Sequence, residues 1–322
     1  MIMSRIFRYT AIMGLLGTIF SAGCAQKLVL KPAAGQKDSF KITHHSRRSI
    51  KWQGPVPEKA AFEESYNDDN VVMVLTRQIK SVDHNGVTVA QVTFDSLKYL
   101  SVVKNVTKVD FDSSRPSDAD NSIAKLIGQS YTIEFGTDNS VISVPDVNNL
   151  RSMFSNRTDN DRAANNLLLN DSIIDRHSAL LLPNDRTSLK PGDTWNRIKT
   201  FSFGLMGIKS YEKIYTLREI RKDAKNQIAV IDMNAIPSSE VESKFRGQQA
   251  GANFPKMFDT NETYTGTGDV DLTSGAINRY SENLRSSWIA AMPPNPGEAA
   301  DPNEPVVLQM TATRDYTFER IK

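Results

Sequence analysis

The chain has 322 residues, with 39 Lys and Arg against 37 Asp and Glu, and a single cysteine. Residues 1–23 carry Arg5 and Arg8 and no acid, so the rest of the chain holds 37 charges of each sign. That balance excludes a global electrostatic attraction to nucleic acid or anionic lipid, and one cysteine excludes any disulfide within the chain, so packing alone must hold the fold.

Arg5 and Arg8 precede an apolar run from Tyr9 to Phe20, and Ser21, Ala22 and Gly23 lead into Cys24. This is the layout of a secretory signal, and a dozen apolar residues fall short of the ~20 that span a bilayer as a helix. With Cys24 directly after Ala-Gly, the segment resembles a bacterial lipoprotein signal. The resemblance implies cleavage before Cys24 and acylation of its sulfur, which would also remove an unpaired thiol from an exported chain. Two or three acyl chains, at ~0.8 kcal/mol per buried methylene, hold a protein durably on a membrane. Ala25, rather than Asp, follows the cysteine, and by analogy with Gram-negative sorting this directs the protein to the outer membrane of the cell envelope. The competing reading is a plain signal cut near Ala22 or Ala25.

Residues 24–38 read as a lipidated tether. From Ser39 to Trp52, Phe40, Ile42, Ile50 and Trp52 fall on even positions, the period of a half-buried strand. Gly54 to Asn70 reads as a polar loop. Val71–Val82 and the run from Val87 to Val102 are rich in strand formers and flank Asn85-Gly86, a hairpin signal in which both turn residues take φ > 0. Asp118 is placed to cap a short helix ending at Leu126. Ser130–Phe135 and Val141–Val144 form a second hairpin around Gly136 to Ser140. Pro145 closes it, and residues 146–182 read as helical, the second helix running from Asp159 to about Leu182 with Leu167, Leu168, Ile173 and Ile174 on its apolar face.

From Leu189 the order of elements starts again. Leu189-Lys190-Pro191 echoes Leu30-Lys31-Pro32, and Tyr211–Ile220 and Ile228–Ile236 pair around Lys225-Asn226. Residues 237–260 read as an exposed insertion and Pro293–Pro305 as a loop, and the final strand from Val306 to Glu319 pairs with 277–290. The expected fold is α+β and mainly antiparallel β. It comprises a signal (1–23), a tether (24–38), a first sheet unit (39–145), a helical segment (146–188) and a second sheet unit (189–322), the two units being similar enough for an ancient duplication.

The chain carries an apolar-Lys-Pro segment at Leu30-Lys31-Pro32 and Gly192-Asp193-Thr194-Trp195 at the entry to its second half. Gly266-Thr267-Gly268 follows, with Asp271-Leu272-Thr273-Ser274-Gly275 in a late hairpin. In these it resembles a family of uncharacterised bacterial envelope lipoproteins. The resemblance implies an architecture and an address, and brings no activity with it.

Motifs for chemistry are sparse. His44 and His45 are adjacent on a strand and point to opposite faces, His84 lies in the Asn-Gly turn, and His177 reads as a solvated helix residue. Asp110-Phe111-Asp112-Ser113-Ser114 starts like a calcium loop, but Arg115 and Asn121 stand where an EF-hand needs Gly and Glu. Ile208 between Gly207 and Lys209 breaks a phosphate loop, and no Gly-x-Ser-x-Gly elbow occurs. No cofactor, metal or catalytic residue is therefore expected. The sequence points first to a non-catalytic structural or protein-interaction module, bound to the membrane through Cys24, with an envelope protein as partner. The alternative is a carrier for an apolar ligand in a groove between sheet and helices, lined by Trp195, Phe201, Phe203, Leu205 and Met206.

Overall fold

The computed structural model describes residues 25–54, 62–183, 188–223, 226–245, 258–291 and 306–321. The signal segment, Cys24, the loop at 293–305, Lys225 and part of the insertion at 237–260 lie outside the described residues.

The fold is mainly antiparallel β. The first half forms a meander of β2 (Lys37–Gln53), β3 (Ser65–Val82), β4 (Thr88–Val103), β6 (Ser130–Phe135) and β7 (Val141–Ser143), with β5 (Val106–Asp112) also paired to β4. The second half forms another, of β9 (Thr194–Ser202), β10 (Ile208–Asp223), β11 (Asn226–Ser238), β12 (Asp259–Asp271), β13 (Ala276–Ala291) and β14 (Val307–Ile321). The last strand pairs with β13, as expected, and on its other side with β2 from Val307↔Gln53 to Ile321↔Ser39. That pairing fuses the two meanders into one sheet. Two-residue strands β1 (Gln26–Lys27) and β8 (Ser188–Leu189) form a separate pair.

Local chemistry differs from expectation in three places. The β3–β4 hairpin forms, but of Asn85 and Gly86 only Gly86 has positive φ, at +82°. Asp83 shapes the turn instead, its carboxylate accepting from the amides of Asn85 and Val87. The unassigned stretch after Val103 begins with another tight turn, Lys104 and Asn105 at φ 49° and 65°, which opens β5. The short helix is a 3-10 turn at Ser122–Leu126 capped by Asn121, whose side chain accepts from the Ile123 amide; Asp118 serves Arg115 and the Asp112 amide.

The helical region is three helices: α1 (Val147–Arg151), α2 (Asp159–Leu167) and α3 (Asn170–His177). After α3 the chain bends through residues 178–180 and continues to Leu182 without helix or strand, and this short segment closes the sheet. It meets the first edge where the amide of Leu182 donates to Asp138 O and Asn139 Nδ2 donates to the carbonyls of His177 and Leu180. It meets the opposite edge where Trp195 Nε1 donates to Leu181 O and Arg197 to Leu182 O. The β6–β7 turn at one end of the sheet and β9 at the other thus bond one segment, so the sheet curls around α3 with its core on the concave face.

Two motif glycines make room for this closure. A Cβ on Gly268 would sit 3.1 Å from Leu180 Cδ2, and one on Gly275 would sit 2.5 Å from the Lys31 nitrogen at φ +65°. Lys31 is held there by its amide to Gly275 O and its ammonium to Leu272 O. Leu28 and Leu30 are buried, so residues 26–31 are built into the body rather than hanging free as a tether.

Candidate functional site

On the concave face, strand alternation sends even-numbered residues of β2, β13 and β14 inward, with odd-numbered residues of β9 and β10. On β2 the apolar series Phe40, Ile42 … Ile50, Trp52 is interrupted inward by His44, Ser46 and Arg48. On β14 the series Leu308, Met310, Ala312 … Tyr316 is interrupted by Arg314. The register puts Arg314 opposite Ser46 and Arg48 opposite Ala312, so the two arginines are diagonal neighbours across one strand pair.

Three cavities adjoin along this face. The first, about 330 Å³, lies between β2, β3 and β14 and helices α2 and α3, with His44, Arg48, Arg176, Arg314, Met73 and Tyr99 among its walls. The second, about 230 Å³, shares His44, Asp175, Arg314 and Tyr316 with the first and extends toward β9 and β10. The third, about 250 Å³, shares Arg48, Phe203 and Ala312 with the first and is otherwise lined mainly by Ile50, Met206, Trp288 and Met310. Together they fall in the size range of small-molecule sites, about 300–1,000 Å³.

The groove residues expected from sequence separate. Phe203, Phe201 and Met206 line the first and third, second, and third cavities respectively. Trp195 lines none of the three; it stacks on Tyr215 at 5.3 Å and belongs to the core. The Leu205 side chain lies outside the described residues. His177 is a correction: it is buried, because the sheet wraps α3. Tyr131 OH, which accepts from Arg176, lies 2.7 Å from its Nε2, and the Phe40 ring meets it edge-on. Burial and then the Arg176 charge hold its pKa well below the usual histidine value. His45 points outward to Asp68 at 2.6 Å, and His84 is exposed. In the calcium-like loop the guanidinium of Arg115 takes the place of a metal between Asp110 and Asp118.

Electrostatics along the concave face fall into two kinds. Lys213 is buried with its ammonium 2.6 Å from Glu282, 3.1 Å from Ala179 O, and 5.4–5.6 Å from the ring centres of Tyr215, Tyr264 and Tyr280. Tyr280 OH donates to the same Glu282 oxygen. Burial opposes ionisation of Glu282, but Lys213 and its hydrogen bonds prevail and keep the carboxylate ionised.

Arg48 and Arg314 are the other kind. Among the described residues neither has a hydrogen bond or ion pair, and Arg314 has only the Phe201 ring, 4.7 Å away. The nearby carboxylates are engaged elsewhere: Asp69 accepts from Ser101, and Asp175 binds Lys199 and Lys244. Burial, then the Arg314 charge, lower the His44 pKa to about 4, so the imidazole is neutral at pH 7. Burial, then Asp69, push Tyr99 up to about 12, so it stays a phenol.

Among the described residues no three His, Cys, Asp or Glu side chains converge as a metal site would, and no helix is long and apolar enough to cross a membrane. No curated protein matches the chain. A solved structure concerning lipid–protein interactions in lipovitellin aligns with 91% of this chain and 26% of its own, at 9% identity and a TM-score of 0.41. The chain thus spans about a quarter of that protein's length. OpdL of Pseudomonas aeruginosa aligns with 89% of this chain and 99% of its own, at 7% identity and a TM-score of 0.19. Both scores are too low to carry an argument about fold or ligand. A model of a family of unknown function, DUF6263, matches residues 85–277, and the chain belongs to that family.

Proposed function

We propose that this protein is a non-catalytic binding module that holds an apolar ligand in the groove between its curled sheet and helices α2 and α3. The observation that carries the reading is the line of adjoining cavities, walled by Val71, Met73, Phe203, Ile50, Met310 and Trp288, where a purely structural module would fill its core with side chains. The groove favours this reading over a passive interaction module. Cys24 as acyl acceptor would hold the module on the envelope membrane, the outer one by its Ala25, beside the lipids it would draw from.

Native mass spectrometry of the full chain carrying Cys24→Ser, exported and purified in mild conditions, tests the reading. The expected result is a bound apolar species, or uptake of added hexadecanol or palmitate. No adduct over repeated preparations and no uptake of either compound would end it. The same variant tests the anchor: it should leave the membrane fraction, and if it stays there Cys24 is not the attachment point.

A further inference from the structure

The groove's polar interruption is confined to one place. Between Phe40 and Trp52 on β2 and between Leu308 and Phe318 on β14 the other inward positions are apolar or aromatic, and His44, Ser46, Arg48 and Arg314 break both series at the same level of the sheet; beyond this stretch the inward Asp38 of β2 pairs with Arg320 of β14. A break on one strand is a surface detail; coincident breaks on two paired strands build a polar patch between the apolar stretches of both strands.

The charge of that patch is unbalanced. Arg48 and Arg314, at diagonal positions on the same face, repel one another, and the carboxylates nearby are bound to other groups. On the wall of the second cavity, which Arg314 also lines, the fold pairs Lys213 with Glu282 and surrounds it with three tyrosines. Inward structural cations here have hydrogen-bonded partners: Lys213 has Glu282, and Arg176 has Tyr131 OH and Leu167 O. Arg48 and Arg314 have no hydrogen-bonded partner among the described residues, Asp175 acting on Arg314 only through space, and a guanidinium is the side chain that grips carboxylate and phosphate oxygens in a fork. Tyr99, on the wall of the same cavity, remains a phenol that can donate one more hydrogen bond. Apolar space continues past Arg48 into the cavity lined by Met206, Trp288 and Met310, where the indole N–H of Trp288 has no partner among the described residues.

We propose that Arg48 and Arg314 form the head-group site of the groove, binding the oxyanion of a single-chain amphiphile whose tail lies along Phe203, Met310 and Trp288. This rests on the groove reading above and adds the ligand's polar end. The head is a carboxylate or a phosphate, and a neutral head leaves the two charges unopposed.

Calorimetric titration of the full chain bearing Cys24→Ser, with palmitate, monoacyl lysophosphatidic acid, hexadecanol and inorganic phosphate, tests it. Palmitate or the lysophosphatidic acid should bind about tenfold or more tightly than hexadecanol. Arg314→Gln and Arg48→Gln should each remove most of that preference, weakening the acids far more than hexadecanol, and Arg314→Lys should restore part of it. The stronger of the two acids identifies the head group. Equal binding of acid and alcohol, unaffected by either Gln variant, would overturn the head-group site and leave the groove standing. Binding of neither would remove both. Arginine-dependent binding of inorganic phosphate without either amphiphile would assign the site to a free anion and overturn the proposal. Retained hexadecanol affinity is also the control for folding, because a collapsed groove loses the alcohol as well.

Discussion

The concave face places two sets of cations against its core, and they are built in opposite ways. Lys213 has a carboxylate at hydrogen-bond distance, a backbone carbonyl and three aromatic faces. Arg48 and Arg314 have one aromatic ring between them, and a cavity beside them. A buried ion pair is costly to desolvate and is tolerated only when fully satisfied, so the first set, although Lys213 and Glu282 line the second cavity, is a charge that the fold completes by itself. The second lines the first cavity with no hydrogen-bonded partner among the described residues. The difference separates a charge that completes the structure from a charge that awaits a ligand.

Stability measurements can break this contrast. The largest effect should come from Lys213→Met, which strands Glu282 in the core; urea unfolding should show a loss of about 3–5 kcal/mol. The double variant Lys213→Met with Glu282→Gln should recover much of it, because no uncompensated charge remains. If the single and double variants cost the same, Glu282 does not depend on Lys213 and the pair is not a self-completed charge.

Next in size is Gly275→Ala. The φ of +65° costs a non-glycine residue about 1–2 kcal/mol by itself, and the new methyl group must push Lys31 away. A lowered midpoint with an unchanged denaturant slope would be the signature. No change in midpoint would mean that residues 26–31 are not fastened to the β12–β13 turn.

The arginine side of the contrast also has a pH signature. His44 lies beside Arg314 and has a folded pKa of about 4, below the 6.5 of an unfolded histidine, so the unfolded chain takes up the proton first. Stability is then complete above about pH 6.5 and falls as the pH drops toward 4. His177, depressed by burial, adds in the same direction. His44→Gln should flatten part of that fall in thermal melts taken between pH 7 and 4; an unaltered profile would mean that His44 titrates freely.

The smallest effect should be Arg314→Gln in the absence of ligand. It removes a cation–π contact worth about 0.5–1 kcal/mol and relieves repulsion from Arg48, so the net change should stay under about 1 kcal/mol. A loss as large as that of Lys213→Met would make Arg314 a structural residue and erase the distinction between the two sites.

Much of the fold was legible because antiparallel hairpins are local. Strand alternation and the turns at Asp83–Val87 and Gly136–Ser140 marked β3, β4, β6 and β7, and the β13–β14 pairing followed from two long alternating runs. What joins the halves was not legible. The β2–β14 pairing links residues from opposite ends of the chain, and neither strand carries a register signal for the other. The fate of α3 was hidden for a related reason: His177 and Arg176 look like solvated residues until the sheet closes over them. The aromatic run after Trp195 pointed to the groove but mixed a core residue, Trp195, with true lining such as Phe203. The arginines did leave a trace. Arg314 shares the parity of Met310 and Ala312, and Arg48 that of Ile50 and Trp52, so each was a charge on the apolar side of its strand. Only the register shows that the two breaks coincide.

An acyl chain lying along the cavity beside Trp288 would be reported by the fluorescence of that indole. The chain has three tryptophans, of which Trp288 lines the cavity past Arg48 and Trp195 is stacked in the core. Brominated palmitate, whose bromine quenches indoles it touches, should quench the full chain carrying Cys24→Ser. The quenching should largely disappear in Trp288→Phe and persist in Trp195→Phe. Binding without quenching, or quenching that survives Trp288→Phe intact, would place the ligand elsewhere and contradict the account.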